Sequence, residues 1–170
     1  MELPKRKNTR LAYYDYNAPG YYFITFCTEE KKNMLCHIVG TGLPDGPRIY
    51  DTAYGKVARK QLDKMAELYK GVRLEKYVIM PNHIHLLLRI TEECGPSGRP
   101  VPTQNSKISM FVGTFKRFCN REYGRNMWQY RSHDHVIRNE RDYQRIWNYI
   151  EGNPARWTED CFYAEEESIS

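Results

Sequence analysis

The stretch Tyr77-Val-Ile-Met-Pro-Asn-His-Ile-His-Leu-Leu-Leu-Arg-Ile90 decides how the fold of this chain is interpreted. It predicts the end of one strand, a tight turn at Pro81-Asn82, and a second strand that begins at His83. Because side chains alternate between the two faces of a strand, one face of the second strand is entirely apolar and the other carries His83 and His85. Two imidazoles on one strand face resemble half of a metal site. The alternative is a strand whose two polar residues lie on a solvated outer face.

The composition is that of one soluble domain spanning residues 1–170. Of the 170 residues, 41% are hydrophobic and 28% are charged, which are ordinary proportions for a globular protein. No apolar run approaches the ~20 residues that a membrane-spanning helix needs, so no membrane partner is expected. The basic N-terminus has no apolar stretch behind it, which argues against a secretory signal. Five cysteines without close C-x-x-C spacing predict reduced thiols in a cytoplasmic protein.

Charge is unevenly distributed along the chain. The net charge is +5, with a basic arm at residues 1–18 and a short acidic tail at residues 158–170. The arm combines cations with aromatic rings, among them Lys7, Arg10, Tyr14 and Tyr16. Cations that meet phosphates and rings that stack on bases suit single-stranded nucleic acid. The alternative is a solvated arm with a few buried tyrosines.

Turn signals and hydrophobic periodicity divide the chain into a series of predicted elements. They are a strand at 21–28, a helix at 51–69, strands at 72–80 and 83–90, a helix at 106–123, an extended segment within 128–137 and a helix opened by Asn139. Loops rich in glycine and proline are predicted at 40–47 and 91–105. The apolar stripe of the first helix includes Met65 and Leu68, and the second helix carries a basic rim that includes Lys116 and Arg117. This order of elements is typical of an α+β, ferredoxin-like fold, in which helices pack on an antiparallel sheet.

The last predicted helix aligns two side chains that are capable of chemistry. Its buried stripe follows i, i+3, i+4, i+7 and consists of Tyr143, Ile146, Trp147 and Ile150. At about 100° per residue, Tyr149 lies on a flank of this stripe, and Asn153 lies one turn further along the same flank. A phenol can act as a nucleophile, and an amide oxygen can bind a hard metal ion. Packing of the tyrosine and helix-end chemistry of an asparagine before Pro154 are the alternatives.

Three motifs in this order resemble a known family. They are His83-Ile-His85 on a strand after Met80-Pro-Asn, then His135-Val-Ile-Arg-Asn139, then Tyr149-Ile-x-x-Asn153-Pro. The pattern resembles the single-tyrosine HUH transposases, and more closely the REP-associated tyrosine transposases of bacteria. The N-terminal stretch is similar to that branch as well, so the resemblance covers about residues 6–157. It implies the HUH endonuclease fold, a ferredoxin-like antiparallel sheet with packed helices.

The resemblance also implies a site and a reaction. His83, His85 and Asn153 match the ligands of one divalent ion, magnesium or manganese, and Tyr149 matches the nucleophile. His135 matches a position that family members commonly keep as histidine, where it supports the site or only packs. The implied activity is that of an endonuclease and strand transferase with a 5′-phosphotyrosine intermediate, in DNA transposition or in the processing of REP-type palindromes.

The implied substrate is single-stranded DNA beside an imperfect hairpin. The residues expected to contact it follow from charge and position: Lys7, Arg10, Tyr14 and Tyr16 for a single-stranded guide, and Lys116 and Arg117 for the hairpin backbone. Relatives act as monomers or as homodimers, so either state is expected, in the cytoplasm and in association with the nucleoid. The alternative function is a domesticated DNA-binding protein that holds palindromes without cutting them.

Overall fold

A four-stranded antiparallel sheet forms the centre of the molecule. The structure, a computed structural model, describes residues 14–41, 43–91 and 106–164. In chain order its main elements are β1 (Gly20–Cys27), β2 (Cys36–Val39), β3 (Arg48–Asp51), α1 (Ala53–Leu68), β4 (Val72–Ile79), β5 (His83–Ile90), α2 (Lys107–Tyr123), β6 (His133–Ile137) and α3 (Glu140–Gly152), followed by a 3-10 helix at Pro154–Glu159. The sheet has the order β4-β5-β1-β6, and each neighbouring pair is antiparallel. Two split β-α-β units produce this order, so the predicted α+β, ferredoxin-like fold is confirmed.

One face of the sheet packs against α1 and α2. The alternate apolar residues of β5, which include Ile84, Leu86 and Leu88, are fully buried on this face. They share one cluster with side chains from β1 and from both helices, such as Phe26 and Phe115. Truncating one buried leucine to alanine costs about 2–5 kcal/mol in protein cores. This cluster therefore fixes the register of β5, and with it the direction of the other side chains of the strand.

The opposite face of the sheet is covered by α3 and by the 3-10 helix that follows it. Leu87 of β5 lies in a second apolar cluster with Ile146 and Ile150 of α3. His83 and His85 share the strand face of Leu87 and are 0% and 1% exposed. The interpretation of these histidines as polar residues on a solvated face is therefore wrong, because α3 turns this face into an interior layer.

Capping residues set the bounds of α2 and α3 as predicted. The Ser106 hydroxyl accepts a hydrogen bond from the Ser109 backbone N–H at 3.1 Å, and Gly124 ends α2 with a φ of 71°. The Asn139 side chain accepts a hydrogen bond from the Asp142 backbone N–H at 2.8 Å, which begins α3. A fixed start of α3 determines the direction in which each of its side chains points.

A hairpin that the sequence analysis did not predict precedes α1. β2 and β3 form a separate two-stranded sheet, in which Cys36 lies opposite Asp51. The predicted loop at 40–47 connects these two strands. Each strand has only four residues, which is too short for a clear alternating pattern.

α1 differs from its prediction in two respects. It begins at Ala53 and not at Asp51, because Asp51 is the last residue of β3 and the Thr52 hydroxyl caps the helix. Leu68, which was expected in the buried stripe, is 60% exposed, whereas Leu62 is fully buried. The true stripe is therefore shifted around the helix from the predicted one.

Some predictions lie outside the described residues. These are the basic residues Lys7 and Arg10, residues 92–105 of the predicted connection and residues 165–170 of the acidic tail.

Helix character and cysteine state can be stated for the described part of the chain. None of its helices combines the length and the apolar character that a membrane crossing requires. Its cysteines carry free thiols, as the spacing of the cysteines predicted: Cys27, Cys36, Cys119 and Cys161.

Candidate active site

Two imidazoles meet at the start of β5. His83 Nε2 and His85 Nε2 are 3.0 Å apart, and the two rings are inclined at 70°. Two nitrogens that each bind one metal ion at about 2.1 Å lie about 3.0 Å apart when the angle at the ion is about 90°. The two nitrogens therefore have a spacing that one ion can bridge.

Asn82 orients the first imidazole. Its amide nitrogen donates hydrogen bonds to the carbonyl oxygens of Lys31 at 3.2 Å and Phe162 at 2.8 Å, which directs its amide oxygen to His83 Nδ1 at 2.8 Å. Because that oxygen only accepts, His83 Nδ1–H donates, and Nε2 of the neutral ring keeps its lone pair. Asn82 is therefore a positioning residue, although the sequence analysis treated it only as part of a turn.

Thr25 of β1 orients the second imidazole. Its hydroxyl lies 2.7 Å from His85 Nδ1, and the two residues are directly opposite each other in the β1–β5 pair. Histidine ligands of metal ions are commonly oriented by such a partner on the nitrogen that faces away from the ion. The register of the sheet thus sets the direction of His85 Nε2.

Both imidazoles are held in their neutral form. Burial lowers the pKa of His83 to about 3, and the Lys31 ammonium acts in the same direction. Burial also lowers the pKa of His85 to about 3, with a further decrease from His83 and an opposing effect of the Asp160 carboxylate. A neutral imidazole is the form that binds a metal ion. At neutral pH, therefore, no imidazolium has to lose a proton before binding.

Tyr149 of α3 brings its hydroxyl to the imidazoles. The hydroxyl oxygen lies 3.5 Å from His85 Nε2 and 3.4 Å from Asp160 Oδ2. Phe23 of β1 supports both rings, since it stacks on His85 at 5.1 Å and meets Tyr149 edge to face at 6.0 Å between ring centroids. Burial raises the pKa of Tyr149 to about 12, and the charge of Asp160 acts in the same direction. The phenol is well placed for nucleophilic attack, but it needs a nearby positive charge or a base to lose its proton.

Asn153 contacts the same site and has a buried amide oxygen without a hydrogen-bond partner among the described residues. Its side chain is 4% exposed, and its nitrogen donates a hydrogen bond to Asp160 Oδ2 at 3.2 Å. Among the described residues, no hydrogen-bond donor reaches its buried Oδ1. An unpaired buried acceptor costs about 1–3 kcal/mol of stability, so a bound group that pairs with this oxygen would stabilise the protein. A divalent ion is such a partner, and a set of two imidazoles and one amide oxygen fits it.

Asp160 is a further oxygen donor, which the sequence analysis missed. Its Oδ2 lies 4.0 Å from His83 Nε2, and the ligand atoms of His83, His85 and Asp160 all lie within 4.8 Å of one another. Its Oδ1 accepts a hydrogen bond from the Phe162 backbone N–H at 2.7 Å. The sequence offered no local signal for this role. Asp160 follows the 3-10 helix in a bend, where no helical periodicity relates it to the site.

The segment 160–164 covers the imidazoles. The Phe162 ring lies 4.7 Å from the His83 ring between centroids. The Asn33 side chain donates a hydrogen bond to the Ala164 carbonyl oxygen at 2.8 Å, which ties the end of the segment to the domain. These residues, predicted as part of an acidic tail, thus belong to the wall of the site.

The predicted DNA-contact residues differ in how accessible they are to a ligand. Tyr16 is 1% exposed and belongs to the main core, and Tyr14 packs against it with ring centroids 5.1 Å apart. The Lys116 ammonium donates a hydrogen bond to the Gln129 carbonyl oxygen at 2.8 Å. Arg117 is exposed on α2. Of the predicted contacts in the described ranges, Arg117 is therefore the most accessible cation.

His135 lies at a supporting position. It is on β6, the edge strand of the sheet, directly opposite Phe23. Its Nε2 lies 2.7 Å from Asp142 Oδ2, in the first turn of α3. This contact ties the helix that carries Tyr149 to the edge of the sheet.

Comparisons with known proteins extend the description of the fold. No protein-family model matches the chain. The chain is 28% identical over 175 residues to an uncharacterized protein of Haemophilus influenzae, and the match covers 94% of each chain. The structure of the present chain is similar to that of a REP-associated tyrosine transposase bound to a REP hairpin. The TM-score is 0.60 and the sequence identity is 20%, and the match covers 89% of this chain and 74% of that chain. The predicted likeness to this family is thus confirmed at the level of structure, and the chain has the fold of a REP-associated tyrosine transposase.

Proposed function

We propose that the protein is a metal-dependent tyrosine endonuclease and strand transferase that acts on single-stranded DNA beside imperfect hairpins. The observation that supports this most strongly is the contact of the Tyr149 hydroxyl with the His83–His85 pair, beside Asp160 and Asn153. Buried polar groups cost stability unless they are paired, so their convergence is better explained by chemistry than by packing. The proposal extends the shared fold to a shared reaction, in transposition or in the processing of REP-type palindromes.

His83, His85 and Asn153 would hold one divalent ion, with Asp160 as a further oxygen donor. When bound, such an ion favours the phenolate form of Tyr149 and offsets negative charge on the phosphoryl oxygens. Magnesium prefers oxygen ligands, whereas manganese also accepts imidazole nitrogen, so manganese is the better match to this donor set. We expect either ion to support activity.

Tyr149 carries out the covalent step of the proposed reaction. Its hydroxyl oxygen attacks the phosphorus of a phosphodiester, a new O–P bond joins the 5′ end to the tyrosine, and the bond to the 3′ oxygen breaks. The phenol proton passes to water, and the leaving 3′ oxygen takes up a proton from solvent. Attack by another 3′-hydroxyl reverses the step and joins strands without ATP, because the phosphotyrosine conserves the phosphodiester bond.

The proposed DNA contacts lie on the arm and on α2. Lys7 and Arg10 stay predicted contacts of a single-stranded guide, and Arg117 stays a predicted contact of the hairpin backbone. Tyr14 and Tyr16 are packed within the protein, so we expect them to act by shaping the domain. The proposal is compatible with a monomer or a homodimer, and it places the protein in the cytoplasm near the nucleoid.

A covalent adduct between protein and DNA tests the proposal. The wild-type protein is incubated with manganese and an internally labelled hairpin oligonucleotide that carries single-stranded flanks. A labelled protein–DNA band that survives denaturation is the expected result. Tyr149→Phe is expected to lose the band completely, because it lacks only the attacking oxygen. Tyr143→Phe, on the same helix, is the matched control and should form it. Cleavage by Tyr149→Phe would show that another residue is the nucleophile.

Asp160→Asn is expected to weaken manganese binding by about tenfold, because it removes the charged oxygen from the donor set. Titration calorimetry of the DNA-free protein measures this affinity independently of cleavage. Glu159→Gln makes the same change of charge at an exposed neighbouring residue and should bind manganese as the wild type does. If Asp160→Asn also binds like the wild type, Asp160 is not a ligand.

The segment 160–164, which covers the imidazoles, favours a second candidate function. In this function the protein binds palindromic DNA without cutting it. Phe162 lies against the His83 ring and restricts access to the imidazoles. A protein of this kind binds flanked hairpins and forms no tyrosine adduct with any of them. The adduct experiment therefore separates the two candidates.

A further inference from the structure

A loop before β6 exposes an aromatic ring to solvent. The side chain of Tyr130 is 97% exposed, more than any other large hydrophobic residue in the described ranges. Its neighbour Arg131 is also exposed. Single exposed hydrophobic side chains are common on protein surfaces, so exposure alone indicates nothing. The contacts that hold this loop are more informative.

Lys116 of α2 holds the main chain of the loop. Its ammonium donates to the carbonyl oxygen of Gln129 at 2.8 Å and lies 3.4 Å and 3.5 Å from those of Tyr130 and Arg131. Burial lowers the pKa of Lys116 to about 8, which reflects the cost of desolvating the ammonium. Three carbonyl dipoles directed at one cation offset this cost. The main chain that carries Tyr130 is thereby ordered before a ligand binds.

The same loop lies beside the proposed active site. The Gln129 backbone N–H donates to the Cys27 carbonyl oxygen at 3.0 Å, and Cys27 is directly opposite His83 in the β1–β5 pair. Two strand separations of about 4.8 Å each place the main chain of Gln129 about 10 Å from that of His83. The main chain that carries Tyr130 therefore lies near the end of the sheet at which His83 stands.

We infer that Tyr130 stacks on a base of single-stranded DNA close to the scissile phosphate, and that Lys116 positions it. The inference rests on the proposed function, because it requires single-stranded DNA at the imidazoles. Stacking on a ring accepts any base, and Arg131 offers a cation to a neighbouring phosphate. Because Lys116 holds the main chain of the loop, little main-chain conformational entropy is lost when the ring stacks. The loop thus adds affinity for a single strand and not sequence readout.

Binding in the Tyr149→Phe background tests the inference without cleavage. The probes are a blunt DNA hairpin and the same hairpin with an oligothymidylate flank that contains the fluorescent base 2-aminopurine. Tyr130→Ala is expected to weaken binding of the flanked hairpin by about tenfold and to abolish quenching of the 2-aminopurine, with the blunt hairpin unaffected. Tyr130→Trp should retain both properties. Tyr50→Ala, at a tyrosine of β3 that is 53% exposed, is the matched control and should behave as the parent protein.

A double-mutant cycle tests the positioning by Lys116. Lys116→Met is expected to weaken binding of the flanked hairpin when Tyr130 is present and to have little further effect in Tyr130→Ala. If the two substitutions weaken binding independently of each other, Lys116 does not position Tyr130. Equal affinity and equal quenching in Tyr130→Ala and its parent would overturn the inference, even if the wild type forms the tyrosine adduct. If the wild type binds neither hairpin, the inference and the proposed function both fail.

Discussion

Alanine in place of His85 is expected to slow strand cleavage by at least about a hundredfold and to leave hairpin binding nearly unchanged. The substitution removes one of two imidazole nitrogens that lie 3.0 Å apart, and this nitrogen lies 3.5 Å from the Tyr149 hydroxyl. The hairpin is expected to bind mainly through its phosphates, outside the buried site, so its affinity does not depend on this ring. Cleavage of a labelled flanked hairpin with manganese measures the first effect, and fluorescence anisotropy measures the second.

Two control variants separate this chemical role from a packing role. His133→Ala makes the same truncation at an exposed histidine of β6 and should cleave at the wild-type rate. His85→Gln fills more of the buried space than alanine does and should also fail to cleave, because the amide does not reproduce the imidazole nitrogen. Thermal unfolding confirms that each variant is folded at the assay temperature. Wild-type cleavage by folded His85→Ala would exclude the residue from the ligand set.

The metal-free protein is expected to lose about 4 kcal/mol of its free energy of unfolding between pH 7 and pH 5. Burial lowers the pKa of His83 and of His85 to about 3 in the folded state. In the unfolded chain each imidazole has a pKa of about 6.5. Below that pH the unfolded state binds two protons that the folded state does not bind. The free energy of unfolding is therefore highest above pH 6.5. It decreases as the pH falls toward the pKa of the two histidines in the folded state.

Urea unfolding in the presence of a chelator, followed by tryptophan fluorescence, measures this pH dependence. The double variant His83→Gln/His85→Gln lacks both titrating groups and is expected to show a nearly flat profile over the same interval. Carboxylates with a lowered pKa, such as Asp142, act mainly at lower pH and are present in both proteins. Equal slopes for the wild type and the double variant would show that the imidazoles bind protons equally in the folded and unfolded states, and that their pKa is not lowered by folding.

Local signals in the sequence were sufficient to predict the main sheet and the helix of the proposed nucleophile. Alternation along β5 predicted the apolar face that contains Ile84, because one buried face demands one register. Asn139 predicted the start of α3, and from that start the helical period aligns Tyr149 with Asn153. The Tyr149 hydroxyl lies 3.5 Å from His85 Nε2, and the Asn153 amide nitrogen lies 3.2 Å from Asp160 Oδ2, so the spacing within one helix pointed to both positions.

The parts that were not predicted depend on contacts between distant positions. Thr25 and His85 are 60 residues apart, and only the pairing of β1 with β5 brings them together. Asp160 lies beyond the last regular helix, where no period fixes its direction. Lys116 falls on the predicted basic rim of its helix, yet its ammonium turns to the carbonyl oxygens of a loop. Hydrophobic periodicity predicts which face of a helix or strand a residue occupies. It does not predict which distant residue the side chain contacts.

Every chemical group of the proposed site comes from one chain. The helix that carries Tyr149 also carries Asn153, and the tyrosine hydroxyl lies 3.5 Å from a histidine of the same chain. If the protein acts as a monomer, this arrangement has a kinetic consequence: turnover per molecule does not change on dilution. Two inactive variants with defects at different residues then do not rescue one another when they are mixed. If two copies exchange α3, as a homodimer allows, the mixed variants regain activity.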